Sequence, residues 1–83
     1  MSLAQVLGDN IRAYRSAQDL SQEALAYKSR LTPNYLGCVE RAQANISVHN
    51  LERIARVLKI APFLLLLPNS SKVRVSIIPL RSS

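Results

Sequence analysis

Two helix-start signals that lie close together constrain the fold of this chain more than any other feature. Ser21 is a favourable N-cap for a short helix over about residues 22–28. Thr32 is the next cap, and Pro33 occupies the first helical position, where its missing N–H costs nothing. Only residues 29–31 separate the two helices. The stretch therefore predicts two short helices joined by a tight turn that sets the angle between them.

The remainder of residues 1–68 also shows helical periodicity. A first helix is predicted over about residues 3–17, with an apolar stripe formed by Leu3, Val6, Leu7, Ile11 and Tyr14. A further helix follows the cap Ser47, and its buried face is expected to be Val48, Leu51, Ile54, Ala55 and Leu58. A short fifth helix is predicted over residues 62–67, between two prolines. These patterns indicate an all-α, five-helix domain over residues 1–68.

Residues 69–83 differ in character and form a basic C-terminal tail. Val73, Val75 and Ile77 alternate with polar residues, which is the period of an extended strand. A single strand has no pairing partner inside a helical domain. Three arrangements therefore stay open for the segment 72–78: pairing with a second copy in a dimer, lying on the surface, or disorder.

The composition excludes several classes of function. One Cys and one His leave no basis for a disulfide framework, a zinc site or a His-based catalytic cluster. No paired-carboxylate, Cys/His or Gly-rich phosphate arrangement is present, so we expect no enzyme and no cofactor. The longest apolar run, residues 61–67, is far short of the ~20 residues that span a bilayer. No signal peptide is apparent, and a cytoplasmic protein without membrane contact is expected.

The net charge of +6 is distributed unevenly. Residues 1–52 carry five basic and five acidic side chains, whereas the six charged side chains after residue 52 are all basic. A basic protein favours polyanionic partners. Because the excess lies in the C-terminal third, however, the net charge does not mark the helix pair itself as the binding surface.

The order and spacing of residues along the helix pair resemble those of one known family. The resemblance rests on Ile11-Arg12 and Arg15, on the run from Leu20 to Ala26, on Tyr35-Leu36 with Val39-Glu40-Arg41, and on Ser47, Leu51, Ile54-Ala55 and Leu58. The chain resembles the phage repressor/Cro-like helix-turn-helix family, also called the XRE family, over about residues 7–67. The resemblance implies a lambda-repressor-like fold and a sequence-specific transcription regulator that binds double-stranded DNA as a homodimer.

The resemblance also implies which residues face the bases. The second motif helix, about residues 32–41, is the recognition helix that enters the major groove. Thr32, Pro33, Asn34 and Cys38 occupy the positions that face base edges in such proteins. Asn34 has the strongest base code, a bidentate bond to adenine. Pro33 offers shape and apolar contact only.

Further roles follow from the same resemblance. Gln22, at the start of the first motif helix, is expected to contact a DNA phosphate. In the loop after the recognition helix, further contacts with the DNA backbone are expected from Arg41, Gln43 and Asn45. Arg15 and Glu40 match the family's internal ion pair. Arg30 and Ala42 stand where this family often has Gly, and Arg30 is expected to need a mildly strained conformation or a different turn.

The segment 62–67 is expected to supply a partner surface. A short helix that is apolar on all sides cannot be covered by a chain this small, and an uncovered apolar patch marks an interface. We expect Phe63, Leu64, Leu66 and Leu67 to form the dimer contact. Two alternatives stay open: an antitoxin-like module whose C-terminal part covers a partner protein, and a non-specific nucleic-acid binder driven by the basic tail. Cys38 as a redox-sensing thiol is a minor alternative.

Overall fold

The computed structural model describes residues 2–72, which are mainly α-helical. In chain order these are α1 (Leu3–Ala17), α2 (Gln22–Lys28), α3 (Pro33–Glu40) and α4 (Val48–Leu58). Two 3-10 segments follow, Pro62–Leu66 and Ser70–Lys72. Residues 2–72 contain no strand, so the predicted all-α class is confirmed. None of the described helices is both long and apolar enough to cross a membrane.

Each α-helix begins at a hydroxyl cap. The side chains of Ser2, Ser21, Thr32 and Ser47 accept hydrogen bonds from backbone N–H groups three residues later, at 3.0–3.1 Å. Such a bond satisfies one of the N–H groups that a helix start leaves without a partner, and a cap of this kind contributes about 1 kcal/mol. The cap residues therefore determine where the helices begin.

Each α-helix also ends in a left-handed residue that is not glycine. The residues concerned are Asp19, Arg30, Ala42 and Lys59, with φ between 55° and 62°. In every case the next N–H bonds back to a carbonyl five residues earlier, as in Leu31 to Ala26 at 2.8 Å. This hydrogen bond is the Schellman pattern of helix termination. The strained conformation expected at Arg30 thus occurs at all four helix ends.

The fifth helix of the sequence prediction is wrong: Pro62–Leu66 is a 3-10 segment. Pro68 has no N–H with which to bond the carbonyl of Leu64, and a side chain from α1 donates to the carbonyls of this segment. The buried amide of Asn10 donates to the carbonyls of Leu65 and Leu67 at 2.9 Å each, and it lies 3.4 Å from that of Leu64. Carbonyls that a short helix leaves free are satisfied in this way.

A second polar contact continues this attachment towards the C-terminus. The Tyr14 hydroxyl lies 2.9 Å from that of Ser70, which is buried and bonds to the carbonyl of Leu64. Residues 70–72 therefore pack against α1. The predicted strand falls outside the described residues except for Lys72, which ends the second 3-10 segment.

The core brings all of these elements together. Its completely or almost completely buried side chains are Ile11, Leu25, Leu36, Val39, Ile54, Leu58 and Leu65. They come from all four helices and the first 3-10 segment, and those of the four helices lie at positions that helical periodicity marks as apolar. The prediction that Val48 belongs to the buried face of α4 is wrong, because this residue at the start of the helix is 74% exposed. The core fixes α2 and α3 against α1 and α4, which leaves the outer face of α3 free.

Candidate nucleic-acid interface

The outer face of α3 carries polar side chains at helical spacing. Asn34, Cys38 and Arg41 are separated by four and three residues and therefore lie on one face of the helix. Asn34 and Arg41 are exposed, and Cys38 is half-buried. On the opposite face Leu36 and Val39 are buried in the core. The helix is thus anchored on one side and presents the predicted base-reading side on the other.

The start of α3 is exposed as well. Thr32 and Pro33 both lie on the surface. The Thr32 hydroxyl oxygen accepts the N–H of Tyr35 at 3.1 Å, so the cap occupies the oxygen while its O–H and methyl group remain available. Pro33 at the first position has no N–H to offer.

A buried ion pair holds the end of α3 against α1. Arg15 Nε lies 2.9 Å from Glu40 Oε2, and Arg15 Nη2 lies 3.1 Å from Oε1, a bidentate arrangement. The Glu40 side chain is only 2% exposed and that of Arg15 18%. Arg15 Nη1 also donates to the carbonyl of Leu20 at 3.0 Å, which ties in the connector between α1 and α2. The structure thus joins two residues that the sequence resemblance paired.

The same carboxylate positions Gln22. The Gln22 amide donates to Glu40 Oε1 at 3.1 Å. An amide nitrogen carries two hydrogens, so one remains for a second acceptor such as a phosphate oxygen. Glu40 therefore orients the side chain at the start of α2 as well as the end of α3.

Gly37 provides the space in which two predicted phosphate contacts meet. A Cβ atom at this position would lie 3.1 Å from Arg41 Nη1 and 3.3 Å from Gln22 Oε1. The Arg41 and Gln22 side chains therefore both lie over Gly37, in the space that a larger residue would fill. From the sequence, Gly37 is an unfavourable residue within a helix that allows a close approach to DNA or to the preceding helix.

The loop after α3 is tied to the recognition helix. Arg41 Nε donates to Gln43 Oε1 at 3.1 Å, and Arg41 Nη2 lies 3.8 Å from the Cys38 sulfur. The Tyr35 hydroxyl donates to the carbonyl of Asn45 at 3.1 Å. Arg41, Gln43 and Asn45 are all exposed. The predicted backbone-gripping residues thus lie together beside the end of α3.

Gly8, which sequence reasoning missed, and Arg12, to which it gave no role, bring α1 against this site. A Cβ atom on Gly8 would lie 2.4 Å from the Glu40 carbonyl oxygen, so only glycine permits this approach. Arg12 donates to that same carbonyl and also pairs with Asp9. The one available signal was a glycine inside a strongly predicted helix, which often marks a close packing contact.

Comparison with known proteins identifies the family. A helix-turn-helix family model matches residues 11–65, well over half of the chain. The control protein C.SmaI of Serratia marcescens is 40% identical over 58 residues, which cover 70% of this chain and 69% of that protein. The chain belongs to the XRE-type helix-turn-helix family. Members of this family are DNA-binding transcription regulators and not enzymes.

Solved structures of XRE-type proteins share the fold. The crystal structure of the hypothetical transcription factor NHTF from Neisseria aligns with a TM-score of 0.80 and 38% identity, over 86% of this chain and 82% of that one. The DNA-binding domain of the P22 C2 repressor aligns with a TM-score of 0.76 and 26% identity, over 92% and 99% of the two chains. The predicted lambda-repressor-like architecture is confirmed, apart from its fifth α-helix.

The predicted dimer residues of this XRE-type chain do not all reach the surface. Phe63 is 54% and Leu67 39% exposed, and Leu66 is half-buried. Leu64 is only 3% exposed because the 3-10 turn directs it, with Leu65, into the core. The apolar surface of this segment therefore consists of Phe63, Leu66 and Leu67. Leu64 does not belong to the predicted dimer surface.

Proposed function

We propose that this protein is a sequence-specific regulator of transcription that binds duplex DNA as a homodimer, with α3 in the major groove. The observation that carries the proposal is the exposed face of Asn34, Cys38 and Arg41 on a helix whose end is held by the buried Glu40 carboxylate. A fixed helix with an exposed polar face is what base readout requires, since misplaced donors lose their hydrogen bonds.

Base readout rests mainly on Asn34. Its amide offers a donor and an acceptor together, which match adenine N6 and N7. Thr32 contributes its methyl group and O–H, and Pro33 and Cys38 contribute shape. These four residues read few bases strongly, so much of the specificity would come from two half-sites bound at once.

Phosphate contacts position the helix. Gln22 keeps one amide hydrogen free beside the N-terminus of α2, and Arg41, Gln43 and Asn45 are exposed at the other end of α3. Contacts at both ends of the helix pair would hold α3 in register along the groove. The similarity to a protein named as a control protein supports a regulator of the same kind.

The homodimer is supported by apolar surface at the C-terminal side of the domain. Phe63, Leu66 and Leu67 lie there. Leu66 also lines a groove of about 390 Å³ whose other apolar walls are formed by Leu3, Ala4, Leu7, Ala44, Ile46, Val48 and Leu51. A two-fold dimer would bury part of this surface and would place two recognition helices one helical turn apart on DNA.

The same groove favours a second candidate, a module that covers a protein partner. Val48 is 74% and Leu3 60% exposed, more than a monomer needs to leave uncovered. Light scattering of the purified chain separates the two candidates. A uniform dimer supports the homodimer, whereas aggregation that a second protein relieves supports the partner module.

Selection of bound sequences from random DNA tests the main proposal. We expect enrichment of a two-fold symmetric site whose half-sites lie about 10 bp apart, or a multiple of that spacing. Absence of any enriched sequence, with binding retained on all duplexes, would contradict sequence-specific recognition and favour the non-specific alternative.

A further inference from the structure

A row of basic side chains that take part in no ion pair within residues 2–72 runs from the start of the recognition helix past the end of α2 and along α4. It begins in a shallow hollow beside Thr32 and Tyr35, to which Arg30 belongs. Arg30 also lines the next hollow, of about 370 Å³, together with Lys28, His49, Arg53 and Arg56. Lys28 and Arg56 in turn line a third hollow that contains Lys59. The three hollows therefore form one path, which we call the basic path: Lys28, Arg30, Arg53, Arg56 and Lys59.

No acidic residue lines the three hollows of the basic path. The nearest carboxylate along α4 is that of Glu52, which lies one turn before Arg56 and lines a neighbouring hollow with it. Within residues 2–72 the ion pairs are those of Arg12 with Asp9 and Arg15 with Glu40, so the five cations of the path take part in none. Like charges held side by side repel and destabilise the folded state. An arrangement of this kind is stabilised when an anionic partner lies along it.

The shape of the basic path fits a polyanion better than a small anion. It is a chain of open hollows and not one enclosed pocket. The portion from Arg53 on α4 to Lys59 at its C-terminal end covers about 9 Å at ~1.5 Å per residue. One strand of a DNA duplex carries about three phosphates over that length, at ~3.4 Å each. Arg53, Arg56 and Lys59 therefore match the phosphates of one strand in number and extent.

We infer that the basic path binds the sugar-phosphate backbone of the DNA that flanks the half-site read by α3. The inference rests on the proposed function, because it extends the same interface outward through Arg30, which adjoins Thr32 at the start of the recognition helix. These side chains lie outside the phosphate contacts that the family resemblance implied. They also account for the basic residues 53–59, which the recognition helix does not use.

The test compares two duplexes that contain the selected site, one ending at the site and one longer by about one helical turn, ~10 bp, on each outer side. The measured quantity is the slope of log affinity against log salt concentration. For the wild-type chain we expect a steeper slope on the longer duplex, by about 0.9 for each added phosphate contact.

Two double variants locate the effect. On the long duplex, R53Q/R56Q is expected to lower the slope by about 0.9 for each phosphate contact that it removes. On the short duplex, the slope of this variant is expected to equal that of the wild-type chain. R53K/R56K keeps the charges and is expected to retain the wild-type slopes on both duplexes. Circular dichroism of the free proteins verifies that both variants are folded.

Three results would overturn the inference. They are equal wild-type slopes on the two duplexes, an equal loss by R53Q/R56Q on both, or a loss by R53K/R56K as large as that of the Gln variant. None of these results contradicts the proposed function, since the protein still binds the selected DNA site in each case. Failure to select any site would instead overturn the proposed function, and this inference with it.

Discussion

At the scale of single residues, Glu40 links the largest number of parts of the interface. Its carboxylate accepts from Arg15 and Gln22, and its backbone carbonyl lies against Gly8 and accepts from Arg12. One side chain therefore connects α1, the start of α2 and the end of α3. Because it is almost completely buried, its charge depends on Arg15 for compensation.

Glu40→Ala is expected to destabilise the fold by about 3–5 kcal/mol, because Arg15 is left as a half-buried charge without its partner. Urea denaturation followed by circular dichroism measures the loss. The double variant Arg15→Met/Glu40→Met removes both charges and is expected to regain most of that stability. A double variant as unstable as Glu40→Ala would show that burial of the charge is not the cause.

Asn34→Ala is expected to weaken binding to the selected site by about 1–3 kcal/mol, because the amide that pairs with adenine is removed. Binding to random duplex should hardly change, since Asn34 contacts no phosphate in the proposed complex. Titration of both duplexes at one salt concentration measures the difference. Gln5→Ala, an exposed amide at the start of α1, is the matched control. An equal loss on both duplexes would remove Asn34 from base readout.

At the scale of elements, the N-caps set where each helix begins, and a left-handed non-glycine residue follows each helix end. Local signals predicted the limits of α1 and α2 and the start of α3 and α4, because a cap and an apolar period act within a few residues of each other. The first 3-10 segment was not predictable in this way. Its conformation depends on hydrogen bonds from Asn10, more than fifty positions earlier in the chain.

Ala42→Gly is expected to stabilise the free protein by about 1 kcal/mol, because the left-handed conformation at φ 60° strains alanine and not glycine. Thermal or urea unfolding without DNA measures the change. Ala13→Gly, inside α1, serves as the control and should instead destabilise by about 1 kcal/mol. A loss of stability in Ala42→Gly would show that the helix end is not strained.

Gly37→Ala is expected to separate stability from DNA affinity. Helix propensity favours alanine by up to about 1 kcal/mol, while the new methyl group displaces the Arg41 and Gln22 side chains that lie over this position. We expect unchanged or higher unfolding stability together with weaker binding to both specific and random duplex. Unchanged affinity would mean that these two side chains do not need the space above Gly37.

At the scale of the whole molecule, the recognition face and the apolar segment belong to different elements of the domain. The polar face of α3 is continued by the basic path, whereas Phe63, Leu66 and Leu67 lie on the segment that follows α4. A dimer formed through the apolar surface would leave both recognition helices free. Substitutions on the outer face of α3 should therefore change affinity without changing the oligomeric state.

Phe63→Lys is expected to convert the proposed homodimer into a monomer, because a charge replaces an apolar side chain that is half-exposed in the single chain. Light scattering measures the mass, and binding to the two-fold site should weaken with it. Tyr27→Lys alters another exposed aromatic residue, on α2, and should leave the mass unchanged. A dimer that persists in Phe63→Lys would place the contact elsewhere.

The sequence by itself determined the helix pair, the caps, the core positions and the family, because these depend on neighbouring residues and on their periodic spacing. The tertiary structure alone decided which residues of the segment 62–67 face inward and which carbonyls Asn10 satisfies. It also decided that Gln22 shares a carboxylate with Arg15, and that the basic residues of α2 and α4 form one path. Contacts between distant positions set these features, and no local pattern records them.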